Sequence, residues 1–230
     1  MTIRPVTALI PLKAHSERVP GKNVRPFCGR PLFHWILESL RDSSYVTQTV
    51  IDTDSEEIAN DATANFDVRV LMRPTELRGD MVGITPLIEY DMSQVDGDFF
   101  LQTHSCNPLL LSSTIDAAIV RFFESPGADS LFSVTPQQKR FYWPDGRPVN
   151  HDPANMLRTQ DLPPILEENS NIYIFSRESF IRNNHRIGAH SIMFPMDAME
   201  ALDIDTEAEF RLAETVAMSR EARTSSRSSF

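Results

Sequence analysis

Apolar residues fall into short dense runs separated by polar stretches, and the runs alternate between two kinds of spacing. Val6-Thr7-Ala8-Leu9-Ile10-Pro11 is a compact run closed by proline, the pattern of a buried strand that ends in a loop. Pro31 then opens Leu32 to Leu40, where Leu32, Trp35, Ile36, Ser39 and Leu40 share one helical face. Thr49-Val50-Ile51 predicts a short strand, and Asp54 to Glu57 supplies capping groups, Asp54 chief among them, for a helix from Ile58 to Asn65. Val68 to Leu71 predicts a strand, Thr85 to Ser93 a helix and Asp98 to Gln102 a strand. Ser113 to Glu124 follows as an amphipathic helix and Ser130 to Val134 as another strand. Alternation of this kind predicts an α/β fold: a mostly parallel sheet with helices on both faces.

The regularity breaks between Thr135 and Pro164, a stretch rich in proline that carries Phe141, Tyr142 and Trp143. That composition fits an aromatic-bearing arm that leaves the sheet, of the kind that pairs with a second subunit. Ile172 to Phe175 returns to strand, and Thr206 to Met218 predicts a closing helix. With no internal repeat and no clean linker, residues 1–218 are expected to form one domain with 135–165 as its arm. The Ser- and Arg-rich stretch 219–230 is expected to be a flexible tail.

Composition narrows the classes. At 41% hydrophobic and 23% charged, the 230-residue chain sits with folded globular proteins. A net charge of -10 opposes a protein that wraps nucleic acid. Cys28 and Cys106 stand far apart without metal-binding spacing, which argues against a disulfide framework or a zinc site and for a reducing compartment. The first apolar run is too short for a secretory signal core and no membrane-length apolar stretch follows, so a cytoplasmic protein without a membrane partner is expected.

In parallel α/β sheets ligands sit at the carboxyl ends of strands. The loop after the first strand, Pro11 to Asn23, gathers Lys13, Arg18 and Lys22 with Ser16 and Gly21. Cations with backbone N–H groups in such a loop suit a triphosphate, while a solvated surface loop would use the same residue types. It is not a Walker A loop, because Gly21-Lys22 is followed by Asn23. Near the other end, Asp203 and Asp205 flank Ile204 and so fall on one side of an extended segment, where they could hold Mg²⁺ together with phosphate oxygens. Capping of the final helix by Asp205 or Thr206 is the competing use. Asp52 and Asp54 form a second such pair, with Asp52 the candidate site residue. Gln102 to Pro108 is a polar turn after a strand, suited to sugar hydroxyls, and His104 within it is read as an ordinary exposed histidine. A nucleophile elbow is absent.

In order along the chain, these segments resemble the acylneuraminate cytidylyltransferases and their relatives that activate 3-deoxy-manno-octulosonate. Leu9 to Asn23 is similar to the family's opening signature and keeps Pro11, Ser16, Pro20, Lys22 and Asn23. Gln102 to Leu109, Asn169 to Ile174 and Leu202 to Thr206 are similar to three further family segments. The resemblance implies a Rossmann-like sheet, a homodimer joined through the arm, and CMP transfer from CTP to a small acidic acceptor, a 2-keto-3-deoxy sugar acid. It implies that Lys22, Arg18, Lys13 and Asp205 are catalytic and that Asp203 and Asp205 carry Mg²⁺. Leu12, Lys13, Ser16, Arg18, Lys22, Asn23, Asp80 and Gly83 would bind the nucleotide, and Gln102, Arg158, Asn169 and Tyr173 the acceptor.

The chain also departs from the pattern. Lys13 replaces an arginine, Glu17 a lysine, Gly83 lies where serines are common, and Glu167-Glu168 precede Asn169 where an arginine is common. Those acids would repel an acceptor carboxylate unless Arg158 or Arg140 compensates. Other readings of the same features are CMP transfer to a small phosphonate, a nucleotide-sugar glycosyltransferase using Asp-x-Asp, and a non-catalytic nucleotide-binding protein.

Overall fold

The computed structural model of the chain describes residues 2–227. Strand β1 (Val6–Leu12) is buried along nearly its whole length, as a central parallel strand must be. It pairs in parallel with β4 (Val46–Thr53) on one side and β6 (Phe99–Gln102) on the other. Between β1 and β4 lie a small hairpin, β2 (Pro26–Phe27) and β3 (Arg30–Pro31), and helix α1 (Leu32–Arg41). Helix α2 (Glu56–Asn65), β5 (Arg69–Met72), α3 (Ile84–Gln94) and α4 (Ser112–Phe123) complete the first part of the chain. Then come β7 (Ser130–Gln137), β8 (Ile165–Ser176), α5 (Arg177–Asn183), β9 (Ser191–Pro195) and α6 (Glu207–Arg227).

The sheet order is β5-β4-β1-β6-β8-β7-β9, and β8 alone runs against its neighbours. Side chains of β1 alternate between two cores, as strand geometry requires. Ala8, Ile10 and Leu12 meet Phe33 and Ile36 of α1, Ile58 of α2 and Ile115 of α4, while Leu9 on the opposite face meets Ile88 of α3 and Phe180 of α5. Helices therefore cover both faces. A third cluster gathers Val19, Phe27, Leu32, Leu109, Ile204 and Phe210, and joins the loop after β1 to α6.

Most expected elements are present with shifted ends, and the sequence reading omitted the hairpin, α5 and β9. Helix α6 runs to Arg227, so the stretch read as a flexible tail is helical that far, and its last three residues lie outside the described residues. Between β7 and β8 the chain leaves the sheet, with only the turn Thr159–Asp161 and two isolated bridges. Ser55 rather than Asp54 caps α2, accepting from Ile58 N; Asp54 instead accepts from Ala14 N at 2.7 Å. A serine immediately before the first turn reaches that N–H better than a residue one position farther back.

Asp52 is fully buried and pairs through both oxygens with Nε of Arg73, each 3.0 Å away. Asp91 of α3 is buried close to this pair, and burial, aided by the Asp52 charge and opposed by Arg73, pushes its carboxyl up to about 8. A folded-state value above the ordinary 3.8 means that the fold holds the proton more tightly than the unfolded chain. Its contribution is complete below about pH 4 and is lost as pH rises towards about 8. Asp91→Asn should therefore gain stability over the parent as pH rises from about 5 to about 8, by at most ~1.4 kcal/mol per unit. Urea midpoints of both proteins across that range check this; a pH-independent gap would count against a neutral Asp91.

Candidate active site

The strand order turns at the junction of β1 and β6, since the chain passes from β1 outward to β4 and β5 and returns to β6 on the other side. A cleft of about 270 Å³ opens at the carboxyl ends of these two strands, where open α/β sheets bind ligands. Lys13, Ser16, Arg18, Lys22, Asn23 and Asp80 line it from one side, His104 and Ser105 from the other. A larger cavity, about 520 Å³, lies between α1 and α6 and contains none of the predicted site residues.

The loop after β1 is built to return on itself. Val19 is buried as an anchor, Gly21 takes the left-handed conformation at φ +65°, and Lys22 N donates to Val19 O at 3.1 Å. Asn23 is buried; its Nδ2 donates to Lys13 O at 2.8 Å and its Oδ1 accepts from Ser105 Oγ at 2.6 Å. That amide ties the loop to itself and to the turn after β6. Ser16 Oγ accepts from Val19 N at 3.4 Å, and Lys13 is ion-paired with Asp80, whose carboxyl the pairing holds below its ordinary range. Leu12 is fully buried at the end of β1, whereas Gly83 stands at the N-terminus of α3, outside the cleft lining.

The acids near the other end of the chain arrive at the same place. Arg18 Nη2 lies 2.6 Å from Asp205 Oδ1, and Lys22 Nζ lies 4.0 Å from it. Lys22 Nζ also donates to Ile204 O at 2.5 Å, and Ile204 N donates to Cys106 O at 3.0 Å. The fully buried Ile204 side chain thus acts as a peg between the two aspartates. Helix capping does not consume Asp205. Thr206 Oγ1 accepts from Glu209 N, and the Glu209 carboxylate accepts from Asp205 N at 2.9 Å and Thr206 N at 2.8 Å, a reciprocal capping box that leaves the Asp205 side chain to Arg18 and Lys22.

Asp203 has a buried Oδ1 with no hydrogen-bond partner. Burial raises its pKa, the Asp205 charge adds to this, and Cys106 and Lys22 oppose it. An unpartnered buried carboxylate oxygen beside a second carboxylate is a donor set for a hard cation. No group of three His, Cys, Asp or Glu converges among the described residues. Two carboxylates are the few protein ligands that a cation such as Mg²⁺ asks for where phosphate and water complete its shell.

Beyond the cleft, Gln102 is buried, with Nε2 donating to Thr103 O at 2.9 Å and lying 3.0 Å from His104 Nε2. Burial, with Arg186 and Lys22 nearby, drops the His104 pKa to about 3, so the ring is neutral near pH 7. Tyr173 is buried, and its hydroxyl donates to Glu168. Asn169 accepts from Ser133 Oγ at 2.5 Å and donates to Thr135 Oγ1 at 3.0 Å, so its amide braces β7 against β8. Arg158 and Arg140 are not brought to this region. Arg158 pairs with Asp161 at 2.6 Å, and Arg140 donates to Leu157 O at 2.6 Å, both within the excursion between β7 and β8. The cation present instead is Arg186, which donates to Gln102 Oε1 and stacks over Tyr173. No sequence pattern marked it, because its setting is made by residues far along the chain.

A family model described as cytidylyltransferase matches residues 7–224. The chain is 27% identical over 212 residues to the post-translational flagellin modification protein B of Campylobacter coli, covering 86% of this chain and 89% of that protein. It is 28% identical over 220 residues to N-acylneuraminate cytidylyltransferase A of Danio rerio, covering 92% of this chain and 50% of that protein, about half its length. A solved CMP:2-keto-3-deoxy-manno-octonic acid synthetase complexed with CTP shares the fold, with a TM-score of 0.70, 15% identity and coverage of 95% of this chain and 100% of that one.

Proposed function

The chain belongs to the cytidylyltransferase family, and from that premise we propose that it transfers CMP from CTP to a 2-keto-3-deoxy sugar acid with Mg²⁺ as cofactor. The observation that carries this reading is the meeting of Arg18 and Lys22, which line the cleft, with Asp205. The anomeric hydroxyl of the acceptor attacks the α-phosphorus, its proton leaves to solvent or a nearby base, the bond to the β-phosphate breaks, and pyrophosphate departs. Such a reaction asks for in-line positioning and charge neutralisation more than for a covalent catalyst.

Asp203 and Asp205 would hold Mg²⁺, which when bound neutralises developing charge on the phosphates. In the free protein Arg18 and Lys22 offset Asp205, and Lys13 offsets Asp80. Arg18 and Lys22, which line the cleft, would be the cations that face a triphosphate bound there. The hydrogen bond from Ser105 to Asn23 keeps the two loops in register.

Relatives named for N-acylneuraminate and for 2-keto-3-deoxy-manno-octonic acid support the acceptor class. Exposed Tyr142, Trp143, Met156 and Leu157 on the excursion support pairing with a second copy of the chain, which a monomeric mass in solution would refute. Pyrophosphate release is expected when CTP, Mg²⁺ and a sugar acid are supplied together, with a CMP adduct visible by mass. Absence of the adduct across nonulosonic, octulosonic and phosphonate acceptors would overturn the transfer reading, as would breakdown of a sugar nucleotide without CTP use.

A further inference from the structure

We propose that Arg186 is the residue that grips the acceptor's carboxylate, an assignment that rests on the sugar-acid reading above. Its guanidinium carbon lies 3.5 Å from the centroid of the Tyr173 ring, and Nη1 donates to Gln102 Oε1. Nε is buried and has no partner among the described residues. A desolvated guanidinium with an unused N–H lacks the anion its fork is shaped to take.

The other cations near the cleft are already committed. Lys13 faces Asp80, and Arg18 and Lys22 face Asp205. Arg186 makes no ion pair among the described residues. Glu168 lies within electrostatic range of it, but its carboxylate accepts the Tyr173 hydroxyl. Arg186 also belongs to the cleft by continuity, because Gln102 links it to His104, which lines the nucleotide pocket.

The turn that presents Arg186 is rigidly built. Asn184 ends α5 in the left-handed conformation at φ +50°, and Gly188 N donates to Ser130 Oγ at 2.7 Å. A methyl group on Gly188 would overlap Asp129 and Ser179. His190 N donates to Asp129 Oδ1 at 3.1 Å. The turn is thus fixed at both ends, with the guanidinium held over the aromatic ring and its Nε unpartnered.

A panel of 2-keto-3-deoxy sugar acids, N-acetylneuraminate first, and their methyl esters tests this by calorimetric binding alongside turnover with CTP. The parent protein is expected to bind the acid on the order of 30-fold or more tighter than its ester. Arg186→Met should bring that ratio close to one while leaving CTP affinity unchanged. Arg186→Lys keeps the charge without the fork and should give an intermediate ratio, which also guards against misfolding of the methionine variant. An acid-to-ester ratio unchanged in both variants overturns the assignment, as does a parent protein that binds no acid of the panel or does not distinguish acid from ester. Acid binding that depends on Arg186 but gives no pyrophosphate would leave this assignment standing and sink the transfer reading instead.

Discussion

Replacing Asp205 by Asn is expected to lower turnover by roughly 10²–10³ while moving the melting temperature by only a few degrees. The asymmetry comes from where the carboxylate sits. Its partner Arg18 is 68% exposed and Asp205 itself 35% exposed, so their ion pair is a surface contact worth about 0–1 kcal/mol to the fold. The helix behind it is capped by Thr206 and Glu209 and does not need the Asp205 side chain. Removing the charge takes away the proposed metal ligand and leaves the scaffold intact. The Mg²⁺ concentration giving half-maximal rate should rise about tenfold or more, since one of two carboxylates is gone. Equal turnover in parent and variant at saturating CTP, measured as pyrophosphate release, would remove Asp205 from the chemistry.

Replacing Lys22 by Met should lower kcat/KM for CTP by roughly 10² or more, with the loss falling on both kcat and KM. Lys22 is only 15% exposed on its side chain, reaches Ile204 O at 2.5 Å, and is the least solvated cation facing Asp205. A charge in such a place acts through a lower effective dielectric than the exposed Arg18 does. Arg18→Met is therefore expected to cost less than Lys22→Met, and steady-state kinetics on the two variants side by side check the order. A larger loss at Arg18 would mean that exposure, and not burial, ranks these cations.

The fold was legible in the chain because a parallel sheet buries its strands on both faces and so writes them as unbroken apolar runs. Val6 to Leu12 and Phe99 to Gln102 show this directly. Edge elements write weaker signals. Strand β9 has no buried residue along Ser191–Pro195, and α5 buries only Ser179 and Phe180, so neither produced a recognisable period. The meeting of the cationic loop after β1 with Asp205 was legible because residue type and spacing mark both segments. That Thr206 and Glu209 rather than Asp205 cap α6 was not, since capping by neighbours separated by one position depends on backbone angles. Arg186 was invisible for a further reason. Its partner Gln102 lies 84 positions away, and a guanidinium in a turn reads as solvent-facing until the fold places it over a ring.

The small cluster of Val19, Phe27, Leu109, Ile204 and Phe210 fastens a loop near the start of the chain to a segment 182 positions later. During synthesis the sheet strands emerge before that later segment, so Arg18 and Lys22 exist for a time without the Asp205 that opposes them. The pairing of those cations with Asp205 is thus complete only once the later segment has been made. A strain or nick that unseats α6 from this cluster would silence the enzyme while leaving the sheet intact.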